Sequence, residues 1–532
     1  MSKVSRILAG LFSLLALAGV FVLCWYLNDT HNLSDSEVVM GTIIPDNGDQ
    51  KINWGKYNKI NIALSDTLNI TNSGVYYLTG SLSNGNIKIN AIDGKVKLIL
   101  DNITINNPDG PAIYCSAADD LVIELIGKNK LSDGTEYISY YDNDVSGTIY
   151  SKGDLTFQGD GILQVTANHL DGIVSKDDLK FNSGTYIINA TDDGIRGTDS
   201  VYIVDGNYTI NSKADAIKST NETTNGKGFV LIEKGNFTIN AEAKGIKAIN
   251  SIAIYNGNFD ITTSDDAIHS NSYVGIFDGD INIASGDDGI HADKKLVVDG
   301  GTIDIKKSYE GLEAQAIAIN GGDISVYAFD DGMNAGGGTD ASASNRPGAG
   351  VFDANTDCVL SINGGDIYIN SSGDGLDSNG YIYINGGNIV VDGPANNGNG
   401  ALDAGAGILQ NNGTVIAVGA SGMANGIGED SSVYNVSVYF DSTLAAETKI
   451  EIKDSDDKSI INHTSAKSFN HMAVGSPLFK LGETYTIYID GKKYEKFTIS
   501  SITSTIGSSN RNFNNGTMPP TIPGGAGPQM RK

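Results

Sequence analysis

The residues of this chain that can do chemistry are carboxylates that recur at a regular spacing. Each lies two positions before an apolar residue that follows a turn, and eight of the ten such positions are acidic. The ten positions are Asp171, Asp193, Asp215, Lys244, Asp266, Asp288, Glu310, Asp331, Asp374 and Gly400. A second acid comes directly before four of them, at Asp192, Asp265, Asp287 and Asp330. Several oxygen ligands on fixed turns are what Ca²⁺ binds, so the pattern predicts calcium as the cofactor.

The residue after each apolar marker forms a neighbouring column that changes from basic to imidazole to acidic along the chain. Its members are Val174, Arg196, Lys218, Lys247, His269, His291, Glu313, Asn334, Asp377 and Asp403. Arg196, Lys218 and Lys247 are expected to neutralise the acids of the early repeats. His269 and His291 are interpreted as members of the column or as ligand-binding donors rather than as zinc ligands, because no cysteine accompanies them.

In the late repeats, Glu310 with Glu313 and Asp374 with Asp377 have no basic neighbour in this pattern, so a metal is most needed there. Two like charges about 4.8 Å apart repel by roughly 0.9 kcal/mol in water and roughly 3.5 kcal/mol at an effective dielectric of 20. The alternative is a turn role, since Asp-Gly is a common turn pair, and it is open for Asp171 and Asp215. The predicted metal ligands are Asp192, Asp193, Asp265, Asp266, Asp287, Asp288, Asp293, Glu310, Asp330, Asp331, Asp374 and Asp377.

The spacing of the apolar markers identifies the element that must position these side chains. Five of the nine successive spacings are 22 residues, and strand-like alternation with Gly-rich turns fills each unit. The markers are Ile173, Ile195, Ile217, Ile246, Ile268, Ile290, Leu312, Met333, Leu376 and Leu402. A fixed period without helical patterning indicates a solenoid. We therefore predict an all-β fold, a right-handed parallel β-helix with coils of about 22 residues.

The rest of the chain divides around this repeat. Ile7–Leu27 holds 21 residues without a charge, which predicts either a signal peptide or, as favoured here, a membrane anchor. Either one places the remainder outside the cell or on its surface. The predicted divisions are 1–27 for the signal or anchor helix, 28–50 for a spacer, 51–151 for irregular opening coils, 152–420 for the regular β-helix, 421–503 for a small β cap and 504–532 for a disordered tail.

Composition excludes some classes of function. The formal net charge of −27 argues against nucleic acid as a partner and suits a protein that holds divalent cations. Three cysteines do not make a disulfide framework, and Cys115 and Cys358 are expected to be buried free thiols.

Several turn sequences, in their order along the chain, carry a resemblance to a known family. They are Asp192-Asp-Gly-Ile-Arg-Gly197, Asp215-Ala-Ile-Lys-Ser219, Lys244-Gly-Ile-Lys-Ala248, Asp265-Asp-Ala-Ile-His-Ser270, Gly286-Asp-Asp-Gly-Ile-His-Ala-Asp293 and Ser308-Tyr-Glu-Gly-Leu-Glu313. Over about residues 54–500 the chain resembles the calcium-binding, β-helical carbohydrate-binding-domain proteins of clostridia and relatives. The resemblance implies a secreted or surface protein that binds Ca²⁺ and acidic plant-wall polysaccharide such as polygalacturonate, with cellulose as an alternative.

That family is similar in turn to β-helical pectate lyases that use a lysine base beside a calcium cluster. The lyase pattern has Asp one residue after the marker, whereas Arg196, Lys218 and Lys247 stand there in this chain. A non-catalytic binding protein is therefore the first hypothesis. A lyase with Lys218 or Lys247 as base and a structural surface spike are the alternatives.

The predicted partners follow from this choice. Arg196, Lys218, Lys247, His269 and His291 are predicted to contact carbohydrate. Tyr368 and Tyr383, flanked by inward-facing isoleucines, are predicted to point outward and stack on sugar rings. The membrane is a partner through residues 7–27, and a monomer is expected.

Overall fold

The structure, a computed structural model, describes residues 52–138, 144–336 and 355–508. In these ranges the chain is an all-β parallel solenoid of about 14 turns, with a single short 3₁₀ helix at Trp54–Lys56. No helix in the described ranges is long and apolar enough to cross a membrane. The predicted signal or anchor helix and its spacer, residues 1–50, lie outside the described residues. The handedness of the coil stays a prediction.

Each regular coil has three strands, and each strand pairs in parallel with its counterparts on the neighbouring coils. This pairing builds three strand columns along the axis. The first column follows the acidic turn and consists of β2 (Leu68–Ile70), β4 (Ile87–Asn90), β7 (Ile113–Ala117), β10 (Gly147–Ser151), β13 (Asp171–Ser175), β16 (Ile195–Gly197), β19 (Ile217–Ser219), β22 (Ile246–Ala248), β25 (Ile268–Ser270), β28 (Ile290–Val298), β30 (Leu312–Ile319), β32 (Met333–Ala335), β35 (Leu376–Ser378) and β38 (Leu402–Ala404).

Strands β28 and β30 are long enough to continue into the second column. The other members of the second column are β1 (Lys59–Leu64), β3 (Gly74–Leu82), β5 (Lys95–Asp101), β8 (Asp120–Ile126), β11 (Asp154–Gly159), β14 (Asp178–Phe181), β17 (Ser200–Ile203), β20 (Phe229–Ile232), β23 (Ser251–Ile254), β26 (Tyr273–Ile276), β33 (Val359–Ile362), β36 (Tyr381–Ile384) and β39 (Gly407–Gln410).

The third column precedes the acidic turn, and the end of β3 also pairs with its first strand. It consists of β6 (Thr104–Asn107), β9 (Lys128–Asp133), β12 (Ile162–Ala167), β15 (Thr185–Ala190), β18 (Asn207–Ser212), β21 (Asn236–Ala241), β24 (Asn258–Thr263), β27 (Asp280–Ala284), β29 (Thr302–Ser308), β31 (Asp323–Ala328), β34 (Asp366–Ser371), β37 (Asn388–Asp392) and β40 (Thr414–Gly419).

The core lies inside the coils and is built by alternation along each strand. In the third column the inward residues stack on their counterparts, so Tyr208, Phe237 and Phe259 lie face to face with ring centroids 4.8 and 4.6 Å apart. The glycine before each such strand is required by its backbone: Gly206 has φ of 144°, a conformation that disfavours other residues. Burial of these stacked apolar rows holds adjacent coils together.

The C-terminal part has its own apolar core and is antiparallel in character. Strand β44 (Phe469–Gly475) pairs antiparallel with β40 and with β41 (Asn435–Leu444), and β41 also pairs with β47 (Thr503–Ile506). A four-stranded antiparallel sheet packs beside them and consists of β42 (Lys449–Lys453), β43 (Ser459–Thr464), β45 (Thr484–Ile489) and β46 (Lys492–Thr498). The antiparallel strands predicted here are present, and their role as a cap stays a prediction.

Two finer expectations can be compared with the described residues. Cys115 and Cys358 are buried free thiols, as predicted. The tail was predicted to begin at residue 504, but β47 continues to Ile506, because its backbone pairs with β41. Cys24 and residues 509–532 lie outside the described residues.

Candidate functional site

The acidic turn links the third column to the first and repeats in register along the solenoid. Ile195 pairs with Ile217, Arg196 with Lys218, and the same alignment runs through every predicted marker to Leu402. The neighbouring column predicted from the sequence, from Val174 to Asp403, is therefore present in the fold. Most of the acids at the turn are buried, since Asp193, Asp266 and Asp288 expose no more than 2% of their surface.

One oxygen of most column acids is used by the fold itself. The backbone N–H of Asp193 donates to Asp171 Oδ1 at 3.1 Å, and that of Asp215 donates to Asp193 Oδ1 at 3.1 Å. The same bond recurs further along, for example from Asp374 N–H to Asp331 Oδ1 at 2.6 Å. The backbone N–H of Lys244 likewise donates to Asp215 Oδ1 at 3.1 Å. Asp171 and Asp215 therefore both support the backbone of the next turn, and the second oxygen is the one available for other chemistry.

In the early coils, whose apolar markers run from Ile173 to Ile217, this second oxygen is neutralised by the basic residues of the neighbouring column. Arg196 Nη2 lies 2.6 Å from Asp171 Oδ2, and Lys218 Nζ lies 3.2 Å from Asp193 Oδ2 and 2.9 Å from Asp215 Oδ2. Burial lowers the pKa of Lys218, but the carboxylates of Asp193 and Asp215 outweigh it and raise the pKa above its usual value. Lys218 is thus held as a cation, which is the wrong state for a general base.

In the middle coils, whose apolar markers run from Ile246 to Leu312, acids are neutralised by a residue to which the sequence analysis gave no role. Lys244 occupies a column position itself, and its Nζ lies 2.9 Å from Asp265 Oδ1 and 2.5 Å from Asp266 Oδ2. His269 Nδ1 also lies 2.7 Å from Asp266 Oδ2. Burial opposes the charge on Asp266, but His269 and Lys244 together lower its pKa well below the usual range. This paired acid, predicted to bind metal, already has two partners within the protein.

His291 acts as a buried cation among three carboxylates. Its Nδ1 lies 3.2 Å from Asp288 Oδ2 and 2.9 Å from Glu313 Oε2, and its Nε2 lies 3.1 Å from Asp293 Oδ1. Burial lowers the pKa of His291, yet the three carboxylates raise it to about 12. The expectation that Glu313 lacks a basic neighbour is therefore wrong, because a histidine one coil away reaches it.

The late coils, whose apolar markers run from Met333 to Leu402, bring three carboxylates close together. Carboxylate oxygens of Asp331, Asp374 and Asp377 lie within 4.8 Å of one another. Among the described residues, no lysine, arginine or histidine forms a salt bridge with Asp374 or Asp377. Burial, with the charge of Asp403, raises the pKa of Asp374 to about 6, and burial with the neighbouring carboxylates holds the pKa of Asp377 well above its usual value.

A buried amide, Asn334, lies on the coil next to Asp377, and the sequence analysis did not select it. It lies in register with Asp377, its Nδ2 donates to Glu310 Oε2 at 2.8 Å, and it is 5% exposed. Its buried Oδ1 accepts no hydrogen bond within the described part of the chain. The break in the acidic column at this position, from Glu313 to Asn334, is the signal that could have identified it.

The remaining predicted residues are dispersed. Lys247 lies 3.9 Å from Asp215, at the limit of an ion pair. Tyr368 lies in the third column and donates its hydroxyl to Asp392 Oδ2 at 3.0 Å, whereas Tyr383 lies in the second column beside Tyr381. The structure therefore does not bring Tyr368 and Tyr383 together into one sugar-stacking surface. The extra acids Asp192, Asp287 and Asp330 are partly buried at the edge of the turn.

The fold and this site define a class: a parallel β-solenoid whose turns carry a column of ionisable side chains. Residues 65–332, about half of the chain, match the model of a family described as carbohydrate-binding domain-containing protein. The chain belongs to that family.

Two known proteins are similar to it. A carbohydrate-binding domain-containing protein of Acetivibrio thermocellus is 30% identical over 157 residues, which are 29% of this chain and 54% of the relative. The chain thus spans about half the length of that relative. A solved structure described as a polysaccharide lyase-like protein from C. thermocellum, in its gadolinium derivative, is 28% identical, covers 45% of this chain and 96% of its own, and has a TM-score of 0.38.

Proposed function

We propose that this protein is an extracellular, non-catalytic polysaccharide-binding protein that uses Ca²⁺ to hold acidic polysaccharide such as polygalacturonate. Membership of the carbohydrate-binding-domain family supports a carbohydrate ligand. The observation that carries the proposal is the change in neutralisation along the column, from internal ion pairs in the early coils to Asp374 and Asp377, which form no salt bridge with a described residue. The apolar stretch Ile7–Leu27 supports export.

The late group suits calcium in the chemistry of its donors. Asp331, Asp374 and Asp377 offer carboxylate oxygens, and Asn334 offers the amide oxygen that has no partner within the described residues. Ca²⁺ takes six to eight oxygen ligands, including carboxylates and amide carbonyls, in flexible geometry. When bound, the ion would neutralise the carboxylates and leave coordination positions for the carboxylate of a uronic acid residue.

The early coils would support the same ligand with fixed positive charge. The side chains of Arg196, Lys218 and Lys247 are about a quarter exposed, at 26, 24 and 25%. Each therefore pairs with the column on one side and presents part of its charge to solvent. Such exposed cations attract a polyanion and lose strength as salt rises.

The lyase alternative receives less support from the same residues. A lyase base must be neutral when it removes the proton beside the uronate carboxylate. Lys218 instead contacts two carboxylates that raise its pKa. We therefore propose binding without bond cleavage.

The test is retention of the full chain on immobilised polygalacturonate, with Ca²⁺ or with excess chelator, and on a neutral polysaccharide as control. We expect retention on polygalacturonate only with Ca²⁺, and no ultraviolet absorbance from unsaturated uronate. The double variant Asp374→Asn/Asp377→Asn should lose retention, while the matched Asp192→Asn in the early coils should keep it. Equal retention in chelator would contradict the metal bridge, and an unsaturated product would contradict the non-catalytic assignment.

A further inference from the structure

Three potential metal-ligand atoms, one nitrogen and two oxygens, converge at the start of β28. His291 Nδ1 lies 3.2 Å from Asp288 Oδ2 and 2.9 Å from Glu313 Oε2. The nitrogen and the two carboxylate oxygens all lie within 4.8 Å of one another. Asp288 and His291 belong to one coil, and Glu313 lies in register with His291 on the next, so the group spans two coils. One side-chain nitrogen therefore faces two carboxylate oxygens, although it carries at most a single proton.

The other nitrogen of the same ring is held by a third carboxylate. His291 Nε2 lies 3.1 Å from Asp293 Oδ1. The pairing of β28 with β30 shifts register between Ala292 and Lys295, and Asp293 lies within this shift, where an irregularity re-aims a side chain. When the ring is neutral and Nε2 donates its proton to Asp293, the lone pair of Nδ1 faces the two acids. A carboxylate behind the imidazole is the usual support of a metal-binding histidine, because it fixes the tautomer and the orientation of the ring.

The preceding coil has similar residues without this arrangement. His269 Nδ1 lies 2.7 Å from Asp266 Oδ2, and Lys244 Nζ lies 2.5 Å from the same oxygen. The residue in register with His269 on the next coil is His291 and not a carboxylate. A lysine cation therefore already lies where a metal would need to bind Asp266. Within the described ranges, the group around His291 is the one such cluster that combines a histidine with acids.

The spacing and the chemistry of these atoms suit a small transition-metal ion. Bonds from Zn²⁺ to His nitrogen and to carboxylate oxygen are about 2.0 to 2.2 Å long, so atoms that share the ion lie about 3.0 to 3.5 Å apart. The distance to Asp288 falls in this range, and the distance to Glu313 is just below it. Zn²⁺ accepts His with Asp or Glu and needs no cysteine, whereas Ca²⁺ takes oxygen ligands. Glu313 and Asp293 keep 11% and 26% of their side chains exposed, which gives an ion a path from solvent.

We propose that Asp288, His291 and Glu313 bind a divalent transition-metal ion such as Zn²⁺, and that Asp293 positions the imidazole. In the metal-free chain a proton on Nδ1 takes this place, and the ion displaces it to solvent. The bound ion links two adjacent coils and neutralises both carboxylates. For Asp288 and Asp293 the expected ion thus changes from calcium to one that accepts a nitrogen ligand. The site is separate from the calcium site of the late coils and does not depend on the binding of polysaccharide.

The test is a calorimetric titration of Zn²⁺ into the full chain in excess Ca²⁺, which occupies sites made of oxygen ligands. We expect the parent to bind one Zn²⁺, and His291→Gln and Glu313→Gln each to lower the affinity by more than about 100-fold. Asp293→Asn should lower it by about 10-fold to 100-fold, since Asp293 acts through the ring. The matched control is His463→Gln, which removes a histidine that lies 2.8 Å from Asp392 in the C-terminal part and should leave Zn²⁺ binding unchanged.

A second measurement uses the unaltered chain, so it does not depend on how the variants fold. The ring ¹⁵N signals of His291 should change at Nδ1 when Zn²⁺ is added, while Nε2 stays protonated toward Asp293. Absence of Zn²⁺ binding in excess Ca²⁺, or His291 signals that do not respond to Zn²⁺, would overturn the site. An equal loss of affinity in His463→Gln and His291→Gln would do so as well. Retention on polygalacturonate is measured with Ca²⁺ alone, so the proposed function and this site are tested separately.

Discussion

The early and late coils share one turn geometry but differ in how the charge of their buried carboxylates is compensated. In the early coils Arg196 and Lys218 supply positive charge to Asp171, Asp193 and Asp215 from one residue beyond the marker. In the late coils the same register position holds Asn334 and Asp377. The backbone bond to Oδ1 is retained in both regions. One oxygen of these acids therefore accepts a backbone hydrogen bond in both regions. The residue one position after the apolar marker determines whether the other oxygen forms an ion pair or stays available for a ligand.

The comparison explains why the acids do not all have one role. A buried carboxylate is costly unless it is paired, so each coil needs its own compensation. Lys244 and His291 compensate the middle coils from within the protein. Asp374 and Asp377 form no salt bridge with a described residue, and their raised pKa values favour the protonated form when no cation is bound.

The largest effect is expected from removing an early cation. Lys218→Ala leaves Asp193 and Asp215 buried without their shared partner, and breaking such a pair should lower the free energy of unfolding by about 3 kcal/mol. Denaturant unfolding measures this change. The control Lys213→Ala removes an exposed pair with Glu242, whose two side chains are 62% and 58% exposed, and should cost less than about 1 kcal/mol. Equal losses would show that the column cations do not differ from surface lysines.

The second prediction converts a late coil into an early one. Asp377→Lys places a lysine at the position that Lys218 and Lys247 occupy in register. The variant should unfold at the same temperature with Ca²⁺ and with chelator, because its own cation replaces the metal. The parent should gain about 2.7 kcal/mol when free Ca²⁺ is 100-fold above the dissociation constant. A variant that still responds fully to Ca²⁺ would place the ion elsewhere.

The third prediction concerns pH in the presence of chelator. The folded pKa of Asp374 is about 6, above the usual value near 3.9, so the folded state holds a proton that the unfolded state has released. Stability should therefore fall as pH rises from about 4 to about 6. Asp374→Asn should remove about 1 to 2 kcal/mol of this fall. Burial also raises the pKa of Asp193 to about 6 although Lys218 opposes it, so part of the slope should persist in the variant.

The smallest expected effect is on the protonation of His291, which should not change over the pH range tested. His291 lies among Asp288, Asp293 and Glu313, and its pKa is about 12, so its imidazole should stay protonated from pH 5 to pH 9. The ¹⁵N chemical shifts of this ring measure the protonation directly. A titration near pH 6.5 would show that the middle coils are not neutralised by histidine.

Much of the fold was predictable because it depends on local repetition. The spacing of residues such as Ile195 and Ile217 specified the coils, and the observed register matches it residue by residue. The column of Arg196, Lys218 and His291 followed from the same spacing. These predictions needed no knowledge of contacts between distant parts of the chain.

The site was harder to predict because side-chain reach decides the pairing. Lys244 interrupts the acidic column in the sequence, yet its long side chain makes it the partner of Asp265 and Asp266 on the next coil. His291 likewise reaches Glu313 across one coil. In the sequence Asn334 is a neutral residue among acids, and only its buried Oδ1, which accepts no hydrogen bond from a described residue, identifies it as a candidate oxygen ligand. Spacing alone places residues in a column without indicating which atoms meet.

The most direct test of the account is a calorimetric Ca²⁺ titration of the full chain and of two matched double variants. The late variant is Asp374→Asn/Asp377→Asn, and the early variant is Asp192→Asn/Asp193→Asn. In both variants the amide introduced at the column position, 374 or 193, keeps the oxygen that accepts the backbone bond. We predict that the parent and the early variant bind Ca²⁺ with the same stoichiometry and that the late variant loses at least one ion. An unchanged stoichiometry in the late variant, or a loss confined to the early one, would contradict the assignment of the cation to the late coils.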